Sequence, residues 1–328
     1  MFSRIKAFLR GNSFYVNHLQ RRVNDCRYFA SNIKFYICHF SFRKDKEVEG
    51  NTLYFVYDPS QKHPGLADRL KVICCVYYIA KINGFDFKLI FETPFKLCDY
   101  LECNKYNWVG HWEDLSFSFK NSRMLAYNGM GKIPHLNKKY KQYLIYYYIG
   151  KNILQCNHVP EWEKVWAECY NDLFKPSYKL LNAYKISGQG YKERSYIAVH
   201  LRFVNALEHF EDGHYNSLNK EKQDKLIERC LNALTDIQIK ENKPIIVFSD
   251  SNRFLNIAKM KGYTIIDGEV HHISFQVDKD NILKTFLDFY MIGRSEKTYR
   301  ILAPEMYATT SSYYAAISGG SKFETLFV

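Results

Sequence analysis

The last third of the chain alternates two kinds of segment so regularly that few folds can hold it. "SYIAVHLRF" (Ser195–Phe203), "PIIVFSDS" (Pro244–Ser251), "YTIID" (Tyr263–Asp267) and "TYRILA" (Thr298–Ala303) are short apolar runs. Between and after them lie "KEKQDKLIERCLNALTDIQIKEN", "NRFLNIAKMKG", "NILKTFLDFYMIGRS" and "SSYYAAISGG", whose apolar residues recur at helical spacing. Strands without a polar face, joined by helices, are the pattern of a parallel sheet covered on both sides. A Rossmann-like unit is predicted for this part of the chain.

The first half carries the same pattern once. "NTLYFVYD" (Asn51–Asp58) reads as a buried strand, and "PSQKHPG" as a loop. "LADRLKVICCVYYIAKINGF" reads as a helix closed at Gly84, and "FKLIFET" as the next strand. This is a β-α-β unit. The middle is less regular. "YLIYYYIG" fits helix or strand, while "EWEKVWAECYNDLF" fits a helix ended by Pro176. A boundary is expected in "KISGQGYKERS" (Lys185–Ser195), rich in Gly, Ser and charge.

A chain of 328 residues suits two domains, and 47% hydrophobic residues against 24% charged residues make it globular. Lys and Arg exceed Asp and Glu by 12, which favours anionic partners. The basic residues are scattered, and groups such as "NKKYKQY" read as solvated faces, so no nucleic-acid partner is expected. No run approaches the ~20 apolar residues of a membrane span. The start, "MFSRIKAFLRGNSFYVNHLQRR", has no long apolar stretch or cleavage site of a secretion signal. It fits a basic helix packed on its own domain, or one lying on an anionic membrane. The nine cysteines are odd in number and lack paired C-x-x-C spacing, as expected in a reducing cytoplasm.

Ligands of open α/β sheets bind beyond the carboxyl ends of the strands, so residues there carry the functional reading. His200 and Arg202 end one strand, and Ser249 and Asp250 end the next. "ATTSSYY" (Ala308–Tyr314) lies between the last of these strands and the final helix. Its hydroxyls and helix N-terminus suit a phosphate, although taken alone the segment reads first as a helix cap at Ser311 or Ser312. An arginine in the same cleft can grip a pyrophosphate with two parallel hydrogen bonds; alternatively, Arg202 is a structural ion pair and His200 a core histidine. Gly65 and Asp68 open the first-half helix, where Asp68 and Arg69 could be no more than its exposed first turn. The chain has no G-x-x-x-x-G-K-[ST], no G-x-G-x-x-G and no D-x-D. The adjacent His271 and His272 make a poor metal pair, since neighbouring residues of a strand face opposite ways.

Taken in order, "HPGLADRLKVICCVYYIAKINGFDFKLIFETPF", "YIAVHLRF", "IIVFSDS", "DFYMIGRSEKTYRI" and "MYATTSSYYAA" resemble the fucosyltransferase superfamily of α1,2-, α1,6- and protein O-fucosyltransferases. The likeness covers residues 51–95 and 190–328. It implies an α/β fold of GT-B type, two Rossmann-like domains facing across a cleft. Residues 1–50 would be a basic helical extension packed on the first domain, 51–187 the acceptor-side domain and 188–328 the nucleotide-sugar domain. It further implies an inverting transferase with no cofactor or metal, taking a GDP-sugar as donor substrate. Arg202 would contact the donor β-phosphate with His200 beside it, and Ser311 and Ser312 the pyrophosphate. Asp288 would lie near the nucleotide, and Gly65 with Asp68 would form the first-domain turn. Two departures stand out: "FVNALE" follows the H-x-R motif where many relatives have Gly-Asp or Thr-Asp, and Asp68 stands where Asn is usual. Glu208, Asp212 and Asp68 are then candidate bases. The whole reads as fucose transfer from GDP-fucose to a glycan or lipid-linked glycan, by a cytoplasmic enzyme in contact with the anionic inner face of a bacterial membrane. Another nucleotide-sugar donor, or an anionic-polymer-binding protein on the same fold, is the alternative.

Overall fold

The computed structural model describes residues 33–42, 48–57, 65–125, 127, 129–146, 148, 150–187, 191–208, 217–268 and 279–328. The expectations for the basic start, for Asp212 and for the paired His271 and His272 fall outside these residues.

In the first half, strand β1 (Thr52–Val56) leads to helix α1 (Leu66–Asn83) and strand β2 (Asp86–Ile90). The five residues of β1 are all buried, so both of its faces need cover, which helices supply. Gly84 closes α1 in the left-handed conformation (φ 64°), and its amide caps the carbonyl of Lys81 at 3.2 Å. After the short β3 (Leu101–Cys103) come β4 (Ser122–Met124) and β5 (Gln142–Ile145), which settles "YLIYYYIG" as strand at its start. Strands β2, β1, β5 and β4, in that order, form a wholly parallel sheet. A short helix α2 (Ile153–Cys156) and the amphipathic α3 (Trp162–Leu173) follow. Helix α3 buries Trp166, Cys169, Tyr170 and Leu173, one face at helical spacing. It stops at Leu173, short of Pro176, because Phe174–Pro176 turns into strand β6 and pairs antiparallel with β3. Helix α4 (Tyr178–Ser187) ends this half.

The second half has the predicted alternation. Its elements are β7 (Ile197–Leu201), α5 (Lys220–Glu241), β8 (Ile245–Ser249), α6 (Asn252–Met260), β9 (Thr264–Ile265), α7 (Lys279–Arg294), β10 (Lys297–Leu302) and α8 (Ser311–Gly319). A last strand, β11 (Lys322–Phe327), was not legible in the sequence. It is a half-exposed edge strand carrying Lys322 and Glu324, so it lacks an apolar run. The sheet is wholly parallel in the order β11-β10-β7-β8-β9. Along the chain the strands run outward from β7 through β8 to β9, and then return to its other side as β10 and β11. The order therefore reverses between β7 and β10, and that is where open sheets place ligands.

One core runs through both halves. It joins Phe55, Ile73 and Leu154 of the first to Ala198, Phe286 and Tyr314 of the second. Tyr100 stacks on Phe286 with centroids 4.7 Å apart, and Trp166 meets Tyr314 edge-on at 4.9 Å. Helices α5 and α6 cover the opposite face of the second sheet, over Val199, Ile245 and Tyr299. A helix over residues 33–39 packs on the first sheet, where Phe35 lies 3.9 Å from the Tyr146 ring.

Candidate functional site

The reversal point of the second sheet gathers three segments. The first is the end of β7. His200 sits in register between Phe248 of β8 and Arg300 of β10, on the face that Ala198 presents to the common core. Its Nδ1 is shut off from solvent and has no hydrogen-bond partner among the described residues. Burial, followed by the nearby guanidinium charges of Arg202 and Arg300, pushes the imidazole down to about 3. His200 is therefore neutral throughout the physiological range and does not serve as a cation toward an anion.

Arg202 follows two residues later and is held on two sides. Its Nε is 3.9 Å from Oδ2 of Asp250, and its guanidinium lies 5.8 Å from the centroid of the Tyr307 ring. Asp250 ends β8 and is itself buried. Its two carboxylate oxygens accept the amides of Phe203 at 2.7 Å and Val204 at 2.9 Å. Val204 has a positive φ of 52°, uncommon for a branched residue, so the carboxylate holds a strained turn directly after Arg202. Burial raises the Asp250 carboxyl, against the opposing pull of Arg202 and the two amides. Asp250 thus acts on the arginine and its turn. Ser249 is buried beside it, and its Oγ accepts the Ser251 amide at 3.1 Å.

The third segment joins β10 to α8. The Tyr307 amide donates to the carbonyl of Arg202 at 3.2 Å, which fastens this loop to the turn after β7. Thr310, not Ser311 or Ser312, occupies the cap position of α8; the helix begins one residue earlier than a serine cap requires. Thr309 is buried, and its Oγ1 accepts the Ser311 amide at 3.1 Å. Ser312 is completely buried, and its Oγ has no partner among the described residues. A buried hydroxyl without a partner costs roughly 1–3 kcal/mol, so its retention at a helix N-terminus needs an explanation. The first turn of α8 adds backbone amides and the positive end of the helix dipole.

Glu208 is committed to a helix start: Oε2 accepts Ser251 Oγ at 2.7 Å, and Oε1 accepts the Arg253 amide at 3.0 Å, both at the head of α6. Asp288 lies on α7, with its oxygens 2.6 and 2.7 Å from Lys284 Nζ. Burial raises its carboxyl, and the lysine opposes the rise. Gly65 precedes α1, and a Cβ there would meet open space. Asp68 is ion-paired with Lys71, whose ammonium lies 5.4 Å from the centroid of the Tyr314 ring in α8. The structure thus joins Asp68 to α8, and it gathers His200, Arg202, Ser249, Asp250, Ser311 and Ser312 at the reversal point. Arg69 is not part of an exposed first turn. It is 1% exposed, between the rings of Phe91 and Phe95 at 5.6 Å from each centroid. Its neighbours follow β2, which sequence spacing along α1 does not reveal.

One further residue bridges the halves. Asn152 is buried; its Nδ2 donates to the Tyr314 hydroxyl at 2.9 Å, while its Oδ1 accepts the Leu154 amide at 2.9 Å. Gly150, just before it, faces Asp68: a Cβ there would lie 3.6 Å from the Asp68 Cβ.

No protein-family model matches the chain, and no curated protein matches it in sequence. Solved structures do match it in shape. A mutant of Arabidopsis thaliana FUT1 in complex with GDP superposes with a TM-score of 0.52 at 12% identity, over 87% of this chain and 72% of that one. The fucosyltransferase NodZ from Bradyrhizobium gives 0.51 at 10% identity, over 82% and 92%. NodZ α-1,6-fucosyltransferase soaked with GDP-fucose gives 0.50 at 12% identity, over the same 82% and 92%. The chain has the α/β fold of these fucosyltransferase structures.

Proposed function

We propose that the protein is an inverting, metal-independent glycosyltransferase that moves fucose from GDP-fucose to a glycan. The observation that carries this reading is that the end of β7 with Arg202 and the start of α8, where the Ser312 hydroxyl has no partner among the described residues, both fall at the reversal point of a parallel sheet. All three favour a phosphate group. The shared fold with structures solved with GDP and GDP-fucose supports a GDP-sugar as that ligand.

As the bond from the sugar to the diphosphate breaks, the electron pair stays with the departing oxygen. Arg202 and the α8 amides stabilise this growing charge more in the transition state than in the ground state. That positive charge comes from the chain itself, which is what supports a metal-independent reaction. His200, neutral between two guanidiniums, packs beside the leaving group without adding charge. The acceptor hydroxyl attacks the opposite face of the sugar and loses its proton. Glu208 is tied to the head of α6, which favours Asp68, at the carboxyl ends of β1 and β5, as the receiving carboxylate. A strongly dissociative transition state asks little of that base.

The acceptor in this reading is a lipid-linked glycan of a bacterial surface polysaccharide, met in the cytoplasm at the inner membrane face. The net charge of +12 supports peripheral contact with anionic lipid. Among the described residues, no helix is long and apolar enough to cross a membrane. A thermal-shift panel tests the donor class. GDP, GDP-fucose and GDP-mannose at a hundred times their dissociation constant are expected to stabilise the protein by about 2.7 kcal/mol. UDP and UDP-sugars at the same concentrations should do less. Equal shifts for UDP compounds would transfer the reading to another donor, and no shift with any nucleotide would defeat it.

A further inference from the structure

Arg300 is a cation that neither its place in the sequence nor the H-x-R motif singles out. It stands on β10 beside His200 and shares the sheet face that carries His200. Its Nη1 donates to the carbonyl of Thr309 at 2.6 Å, and its Nη2 to Thr325 Oγ1 at 2.9 Å. Its carbon Cζ lies 5.5 Å from the centroid of the Phe323 ring. Its Nε is buried and has no partner among the described residues. No carboxylate of the described residues lies within ion-pair distance of it, although Arg202 two residues past His200 has Asp250. A half-buried guanidinium without a counter-ion raises the free energy of the empty site, because its charge is partly desolvated and uncompensated.

We propose that Arg300 is the second cation of the phosphate site, a positioning residue that holds the Thr309–Ser312 turn and makes the site selective for a diphosphate over a monophosphate. This rests on the nucleotide-sugar reading of the same site. Arg202 is paired with the buried Asp250, whereas Arg300 has no carboxylate within ion-pair distance among the described residues, so its positive charge is in excess there. A nucleoside monophosphate gains from Arg202 alone. A diphosphate brings further negative charge toward the turn that Arg300 anchors, and it gains from both. Burial also lowers the Arg300 guanidinium, as expected of a cation lacking a counter-charge.

The test is isothermal titration of the full chain and of Arg300→Met and Arg300→Lys with GDP, GMP and inorganic pyrophosphate. Arg300→Met keeps the length and apolar stem but removes the charge and both hydrogen bonds. It is expected to weaken GDP and pyrophosphate about tenfold or more, the scale of one charge-assisted contact. GMP should change by less than about threefold, while Arg300→Lys, which keeps the charge but not the paired hydrogen bonds, recovers part of the GDP affinity. A purely structural role for Arg300 would weaken GDP and GMP by the same factor, and that result would overturn the proposal. So would unchanged GDP affinity in Arg300→Met. If the unaltered protein binds neither GDP nor pyrophosphate, the nucleotide-sugar reading falls together with this one. If it binds both and only the selectivity fails to move, this inference alone is lost. Should Arg300→Met not fold, Arg300→Lys carries the test: GDP selectivity over GMP must persist in it.

Discussion

Arg202→Ala is expected to lower the rate of sugar transfer by about a hundredfold to a thousandfold, the range seen when one preorganised donor to a developing anion is removed. The fold should survive it. Arg202 is partly exposed, and its Nε lies 3.9 Å from Oδ2 of Asp250, a long separation for an ion pair. The Asp250 carboxylate keeps its two backbone amides and continues to hold the turn at Val204. The main effect should therefore appear in GDP affinity and turnover, with a smaller fall in melting temperature from leaving the buried Asp250 without its arginine. Arg202→Lys is expected to recover only part of the loss, because an ammonium is a point charge and cannot grip two phosphate oxygens in parallel. Steady-state kinetics with the donor varied, together with a melt of each variant, separates the two effects. A variant that melts normally and retains most of its turnover would remove Arg202 from the mechanism.

The largest loss of stability is expected from Gly319→Ala. Helices α7 and α8 cross at a pair of glycines, and their backbones touch there. A Cβ on Gly319 would fall on the carbonyl group of Gly293, at 2.5 Å from its carbon, and a Cβ on Gly293 would sit 2.7 Å from the Ala315 oxygen. These obstacles are backbone atoms, which no rotamer change can move. The two helices must separate, and separation strips the contacts that α8 makes with the first half. Those include Tyr314 with Asn152 and Trp166, and the Ser318 carbonyl that accepts Asn171 Nδ2 at 3.0 Å. Overpacking of this kind costs about 1–3 kcal/mol, and the lost contacts place the expected value at the upper end. In a chain of this size that corresponds to a fall in melting temperature of roughly 6–12 °C, at 2–4 °C per kcal/mol. Because α8 also begins at the proposed phosphate site, GDP affinity should fall as well. An unchanged melt would mean that the helices are not in backbone contact. Exposed Gly262 is the control, since nothing lies within 4 Å of a Cβ there. Its positive φ of 90° makes Gly262→Ala mildly strained but not obstructed.

The parts of the fold legible in the sequence were those set by local pattern. The strand that ends at His200 and Arg202, the helix that begins at Ser311 and the β-α-β unit around Leu66 each follow from apolar spacing and turn residues. The parts that were not legible depend on neighbours remote in sequence. Strand β11 is an edge strand, and its partner β10 rather than its own composition holds it in place. Arg300 looks like an ordinary residue of an apolar strand until the parallel register sets it beside His200. Glu208, a candidate base by proximity to the H-x-R motif, is drawn to the head of α6, 43 residues away, where helix amides without partners attract a carboxylate. Asn152 and Tyr314 lie 162 residues apart and meet only because the two halves share one core. The site is therefore partly spelled out by strand ends and partly created by sheet order, and only the first kind of information is local.

The central claim is that a nucleoside diphosphate binds where the second sheet reverses its strand order. The most direct measurement is a crystal structure of the protein grown with GDP. The diphosphate is expected against the guanidinium of Arg202 and the first turn of α8, within hydrogen-bond reach of Ser312 Oγ. GDP seated elsewhere on the chain, with that turn untouched, would contradict the account.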